Sequence, residues 1–297
     1  MSEHHHHHNV SGKNLFLTIV LNIIITLSQI VGGIMSGSLA LLSDAMHNFS
    51  DVLALFIAYA ANRLAARPND ITKTFGYKRA EILAALFNAS VLIGIAIFLI
   101  IEAFHKLYHP EVINSVWVIG LGALSIVLNT ASVLLIKDDS HDNMNVKAAY
   151  LHLLTDVMTS VAVVGGGVLM YYFGIFWIDP LISALIAVYL IWASAGLVRE
   201  SSGILMQFTP KGLDVDAVVH AIEEEPEVED VHHIHVWQLD DNHIHLEAHL
   251  DFKEDVVLSV SNRVIERLEK KLHDSFDIEH MTFQCEYGRD DSKEVIV

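Results

Sequence analysis

His47-Asn48-Phe49-Ser50-Asp51 and His152-Leu153-Leu154-Thr155-Asp156 are the two stretches around which the chain is organised. Each sets a histidine four residues before an aspartate, inside a long apolar run. Four residues advance an α-helix by a little over one turn, so imidazole and carboxylate project from one helix face, one above the other. Two such helices facing each other would bring two nitrogens and two carboxylate oxygens to one point. That is a tetrahedral set suited to Zn²⁺ or a similar divalent ion. An ionisable residue inside a membrane segment costs roughly 2.5–3.5 kcal/mol or more, so four at matched spacing are hard to read as filler. One such pair alone would be explained by a local hydrogen bond within a bundle.

Around these stretches the chain is apolar. Of its 297 residues, 53% are hydrophobic, and the mean hydropathy is +0.43, above what a soluble domain needs. Acidic residues outnumber basic ones by 36 to 18, and 23 of the acidic but only 8 of the basic residues lie from Gln207 onward. An acidic soluble tail would be repelled by nucleic-acid phosphates and attracts cations instead. The single cysteine, Cys285, excludes an intrachain disulfide. The start of the chain lacks the basic n-region of a cleavable signal peptide, so the first apolar segment is expected to stay in the protein. His4–His8 are five consecutive histidines, either a purification tag or a native metal-gathering terminus.

About 20 apolar residues cross the ~30 Å hydrocarbon core of a bilayer. Six segments meet that length: Leu15–Met35, Leu39–Leu64, Ile82–Phe104, Val116–Ile136, Val146–Phe173 and Ile178–Leu197. Tight turns at Ser36–Ser38 and Gly174–Trp177 carry no lysine or arginine. The connection after the second segment holds Arg63, Arg67, Lys73, Lys78 and Arg79, and the one after the fourth holds Lys137 and Lys147, with Lys13 and Arg199 at the ends. The positive-inside rule places these connections and both termini in the cytoplasm. The second and fifth spans, which carry the His/Asp pairs, then run in opposite directions, as in an inverted 3+3 repeat, and the pairs can meet near mid-membrane. Gly165, Gly166 and Gly167 permit close helix approach or a bend in the fifth span.

From Gln207 onward the periodicity changes. Helical spacing over Val215–Glu225, opened by Asp214 and stopped before Pro226, is followed by alternation over Val231–Leu239 and His243–Phe252, joined at Asp240-Asp241-Asn242. A second amphipathic helix over Val256–His273 and a strand over Met281–Tyr287 complete an αββαβ order, a small α+β domain with its helices on one face of a sheet. The expected division is a His-rich tail over 1–13, a six-helix transmembrane domain over 14–206 and a cytoplasmic domain over 207–297. Strand alternation separates Ile244, Leu246, Ala248, Leu250 and Phe252 from His243, His245, Glu247, His249 and Asp251. With His232, His233 and His235 nearby, the polar sheet face is rich in metal ligands.

At the membrane site, two neutral histidines and two ionised aspartates give a net charge of −2, which Zn²⁺ cancels. Two bare carboxylates together in a membrane are costly, so the metal-free site should hold protons on His47, His152 or the aspartates, and metal must displace them. Exchange of protons for metal at one site exposed alternately to each side is antiport, and imidazole titrates near pH 6.5. Asp44, one turn before His47, and the adjoining Asn48 are candidates for supporting the ligands or relaying protons.

These residues resemble the cation diffusion facilitator family, in particular its zinc/cobalt/cadmium-resistance branch and the animal zinc transporters. The similarity is carried by Ser38-Leu39-Ala40-Leu41-Leu42-Ser43-Asp44-Ala45 before His47, Phe75-Gly76-Tyr77-Lys78-Arg79-Ala80-Glu81, Ala148-Ala149-Tyr150-Leu151 before His152, and Val231-His232-His233-Ile234-His235-Val236-Trp237. The resemblance implies a homodimer with six spans per subunit in a bacterial inner membrane and a cytoplasmic metallochaperone-like, ferredoxin-like domain. It further implies proton-driven export of Zn²⁺, or of Cd²⁺ or Co²⁺, from the cytoplasm, with His47, Asp51, His152 and Asp156 as the transport site. The loop after the second span, where some members bind a second metal, holds Asp70, Lys73 and Tyr77 and no histidine. In the tail, His232 and His249 fall on family ligand positions, Glu286 replaces an aspartate, and two further positions carry Ser261 and Gln284. His232, His249 and Glu286 could then hold one regulatory zinc ion at a dimer interface.

Two other classes compete with a transporter that needs no enzymatic cofactor. A membrane-embedded metalloenzyme would use the histidines as catalytic ligands, but there is no His-Glu-x-x-His, and the tail histidines alternate as on a strand. A passive metal channel or sensor would lack the coupling to protons.

Overall fold

The structure is a computed structural model that describes residues 12–136, 144–240, 243–290 and 292–296. His4–His8, Lys137 and the turn residues Asp241 and Asn242 lie outside them. Six long helices come first: α1 (Gly12–Ser36), α2 (Leu39–Ala65), α3 (Ala80–Tyr108), α4 (Ser115–Ile136), α5 (Met144–Phe173) and α6 (Ile178–Leu205). They coincide with the six segments expected from hydropathy to within four residues at each end, except that α6 runs eight residues, a little over two turns, beyond Leu197. Four of them, α3, α4, α5 from His152 and α6, are long and apolar enough to cross a membrane. In α1 an apolar run covers Val20–Ser36, and α2 falls short because Asp44, His47, Asn48 and Asp51 interrupt its apolar face.

The helices bury little of their apolar surface against each other. Ile34, Phe56, Phe98, Ile101, Phe104, Leu134 and Trp192 are all exposed, as they would be against lipid rather than water. The two predicted tight turns are present: Gly37 and Gly174 take positive φ (73° and 66°) between α1 and α2 and after α5, a conformation that favours glycine. The Gly165–Gly167 run divides by role. A side chain on Gly167 would come within 2.9 Å of Ile119 on α4, and one on Gly166 would meet Ile182 on α6, whereas Gly165 faces open space.

The C-terminal part runs α7 (Val215–Glu223), β1 (Val228–Gln238), β2 (Ile244–Phe252), α8 (Leu258–Phe276) and β3 (Ile278–Glu286). Asp214 caps α7 by accepting from the amides of Asp216 and Ala217. The sheet order is β1-β2-β3, with β1 and β2 antiparallel and β2 and β3 parallel, the latter joined through α8 as a parallel pair requires. Val218 and Ile222 of α7, Val264, Leu268 and Leu272 of α8, and Leu246, Leu250 and Phe252 of β2 form one core. The predicted inward set of β2 is therefore inward, and the helices cover one sheet face.

One departure lies in β1. Its register slips between Val228 and Asp230 and again between His232 and His235, and His233 sits at φ 50°. Each slip is a β-bulge that adds one residue to β1. Val231 and Val236 can thus both face the core although they are five residues apart, an odd separation that regular alternation forbids.

By packing, the described residues fall into two units. One comprises those up to Tyr59 together with Phe87–Leu197; the other comprises Ala60–Leu86 and those from Val198 on.

Candidate metal centre

α2 and α5 bring His47, Asp51, His152 and Asp156 to one point. One ligand atom from each lies within 4.8 Å of every other. His47 Nε2 is 3.3 Å from Asp156 Oδ1, His152 Nε2 is 3.2 Å from Asp51 Oδ2 and 3.9 Å from Asp156 Oδ2, and His47 Nδ1 is 3.6 Å from Asp51 Oδ2. Ligands at 2.0–2.2 Å around a tetrahedral zinc ion stand about 3.3 Å apart, so these separations are the edges of a cage of the right size. The two imidazoles meet edge to face with centroids 5.6 Å apart. His47 and Asp156 are buried, Asp51 is partly buried, and His152 is 44% exposed. Both nitrogens of His47, Oδ2 of Asp51 and both oxygens of Asp156 are buried without a hydrogen-bond partner among the described residues.

Asp44 lies behind this cage and joins three helices. Its carboxylate accepts from Gln29 Nε2 of α1 (2.5 Å), Thr159 Oγ1 of α5 (2.9 Å) and Ser160 Oγ of α5 (3.0 Å). Asn48 donates to Gln29 Oε1 (3.0 Å), and Ser160 continues to Ser125 of α4 (2.9 Å), which accepts from Asn129. Sequence reasoning singled out Asp44 and Asn48 but missed Gln29, Thr159 and Ser160, ordinary polar residues with no shared spacing. It also missed Asp179. This carboxylate at the start of α6 accepts from Ser38 Oγ and from the amides of Leu39 (2.7 Å) and Ala40 (3.3 Å). It therefore caps the free N-terminus of α2 from another helix.

In the loop after α2, Lys73 pairs with Asp70 at 2.6 Å and lies over the Tyr77 ring. Hydrogen bonds from Lys73 and Thr72 pull the Asp70 carboxyl down to about 2. These positions hold an internal ion pair.

A second candidate cluster lies on the sheet. Ligand atoms of His232, His249 and Glu286 lie within 4.8 Å of one another, and so do those of Asp230, His232 and Asp251. His232 Nε2 is 3.6 Å from Glu286 Oε2, and His249 Nδ1 is 3.1 Å from Glu286 Oε1. Asp230 Oδ2 stands 3.0 Å from His232 Nδ1. Burial, with Glu286 opposing it, holds the His249 imidazole below its ordinary value. Of the two other family positions, Ser261 bonds Cys285 (3.0 Å) and Gln284 donates to Glu286 (2.5 Å).

Comparison with known proteins bears on both regions. The family described as cation efflux transmembrane domain matches residues 15–206, and the one described as cation efflux protein, cytoplasmic domain, matches residues 210–287. The metal cation efflux system protein CzcD of Cupriavidus metallidurans is 35% identical, over 95% of this chain and 89% of that protein. A cadmium, cobalt and zinc/H(+)-K(+) antiporter of Bacillus velezensis is 32% identical over 95% of this chain and 91% of its own. The zinc transporter ZitB of Pectobacterium atrosepticum is 33% identical over 97% and 89%. Members of this family and these relatives are metal transporters, which removes the metalloenzyme alternative. An apolar helical region that brings two histidines and two aspartates together, followed by a small sheet domain, and matches to both family regions over residues 15–206 and 210–287 make this chain a member of the cation efflux (cation diffusion facilitator) family.

Proposed function

We propose that the chain is a secondary transporter that exports Zn²⁺ from the cytoplasm in exchange for protons, with Cd²⁺ and Co²⁺ as further substrates. His47, Asp51, His152 and Asp156 are its transport ligands. The observation that carries this is the meeting of two imidazoles and two carboxylates at 3.2–3.9 Å, with five of their polar atoms buried and lacking hydrogen bonds among the described residues. A buried polar atom left unpaired costs about 1–3 kcal/mol, so such a cluster calls for an occupant. Zn²⁺ supplies it by taking one bond from each residue, and the loaded site is neutral. When the ion leaves, protons restore neutrality, which couples metal movement to proton movement. Asp44 and Asn48 serve as supports, tying α2 to α1 and α5 so that the ligands keep their spacing.

In this reading all six helices cross a bacterial inner membrane, with both termini in the cytoplasm and residues 207–297 forming a ferredoxin-like domain there. The chain acts as a homodimer, and a regulatory zinc ion sits on His232, His249 and Glu286. The names of the Bacillus velezensis and Pectobacterium atrosepticum relatives, which couple metals to H(+) or specify zinc, favour the same substrates and driving ion.

Purified protein in sealed vesicles tests the proposal. An imposed pH gradient should drive zinc uptake, and Asp51→Ala or Asp156→Ala should abolish it. Zinc flux indifferent to the pH gradient would instead indicate a channel.

A further inference from the structure

The cytoplasmic triad of His232, His249 and Glu286 offers one ligand fewer than a closed zinc site takes. We propose that His233 is the fourth ligand, so that β1, β2 and β3 together hold one Zn²⁺ in a His₃Glu set. This rests on the regulatory-site reading above and names its ligands.

Two consecutive strand residues normally point to opposite faces, yet the register slip between His232 and His235 and the φ of 50° at His233 break that alternation. The result is a triangle of rings. Centroids are 5.2 Å apart for His232 and His249, 4.7 Å for His233 and His249, and 5.4 Å for His232 and His233. Three imidazoles bound through nitrogens at 2.0–2.1 Å to one tetrahedral ion have centroids about 5 Å apart. His233 Nε2 is buried and has no hydrogen-bond partner among the described residues. As placed, His233 lies outside the set of ligand atoms within 4.8 Å of one another, and binding requires its ring to turn about the side-chain bonds toward the other three.

Two of the other ligands, His232 and Glu286, are already oriented. Asp230 engages His232 through Nδ1, which directs Nε2 toward Glu286. Gln284 and Arg289 both donate to Glu286 Oε1, leaving Oε2, buried and without a hydrogen bond among the described residues, for a metal. Partners of this kind, one bond removed from the ion, fix ligand direction. The bulge is pinned as well. The His233 amide donates to Glu294 O (3.2 Å) and the Ile234 amide to Val295 O (2.8 Å). Four protein ligands leave no open position, so the ion is held rather than passed on.

The test uses the full chain with Asp51→Ala and Asp156→Ala to silence the membrane site, and with His4–His8 changed to asparagine so that the run cannot bind metal. Asparagine is among the few residues besides glycine that accept positive φ, so His233→Asn removes the ligand while suiting the backbone. It should weaken zinc binding, read by chelator competition, by roughly ten-fold or more. It should also replace the intense visible band of four-coordinate Co²⁺ with a weaker one. His233→Cys should give a thiolate-to-cobalt charge-transfer band that is absent from the parent protein, in which Cys285 is the one thiol. Unchanged affinity in His233→Asn together with no such band in His233→Cys would overturn the assignment, provided His232→Ala abolishes binding. If His232→Ala also left binding unchanged, the underlying site would itself be refuted.

Discussion

Asp156 and His152 sit one turn apart on α5 but in different surroundings, and their variants should differ accordingly. Asp156 is buried, with neither carboxylate oxygen hydrogen-bonded among the described residues, whereas the His152 side chain is 44% exposed. Water can stand in for the histidine but not for the aspartate, whose removal also leaves the bound dication with an uncancelled charge inside the membrane. Asp156→Asn should weaken zinc binding by at least about 100-fold and His152→Ala by about 10-fold, measured by chelator competition on otherwise identical protein. Asp44→Asn keeps the shape but sets one carbonyl oxygen, in place of a carboxylate, before three donors. A hydrogen bond to a charged group contributes about 1.5–3 kcal/mol. This variant should therefore lower the melting temperature in detergent and weaken zinc binding about ten-fold, and an unchanged melting temperature would contradict the supporting role. The convergence of His47, Asp51, His152 and Asp156 was legible because their spacing repeats in a setting where charge is costly. Gln29, Thr159 and Ser160 were not, because polar residues on three helices become a network only once the helices are packed.

Among the elements, the glycines of α5 give the sharpest contrast. Gly167 lies where any side chain would press on Ile119, while nothing stands within 4 Å of a side chain at Gly165. Gly165→Ala should be neutral or stabilising by up to about 1 kcal/mol, since alanine favours the helix. Gly167→Leu should force α4 and α5 apart and lower the melting temperature by several degrees. The reverse order in thermal melts would contradict the α4–α5 packing. The sequence announced close approach somewhere in this run, but which glycine made it depended on the rotation of α5 against α4. The cap supplied by Asp179 to α2 was hidden for a similar reason, since its partners Ser38 and Leu39 lie some 140 residues away. In β1 a signal was present: two adjacent histidines, 232 and 233, between core-facing Val231 and Ile234 cannot fit a regular two-residue alternation. They mark the bulge that the structure contains.

For the molecule as a whole, two places are open to direct measurement. In the cytoplasmic domain His245 is buried against Trp237, His280 and Phe75. Burial, reinforced by His280 and His243 and opposed by Asp240 and Glu279, holds its imidazole below the ordinary 6.5. The folded domain then binds fewer protons than the unfolded chain between that depressed value and 6.5. Its stability should be fully present above about 6.5 and lost as the pH falls through the folded value. Thermal unfolding of the metal-free chain across that window should show this slope, and His245→Phe should flatten it. The α+β order and the helices were legible from periodicity alone, because apolar faces must find partners.

The second place is the membrane site, where the central claim is that two imidazoles and two carboxylates hold one dication. Zinc X-ray absorption measures this most directly, on the full chain with His4–His8 changed to asparagine and with His232→Ala and His249→Ala in place. The account predicts one zinc ion per chain, with two imidazole nitrogens and two carboxylate oxygens at about 2.0–2.2 Å, and loss of that ion in Asp51→Ala. Three or more imidazoles around the metal, or an unaltered spectrum after Asp51→Ala, would contradict it.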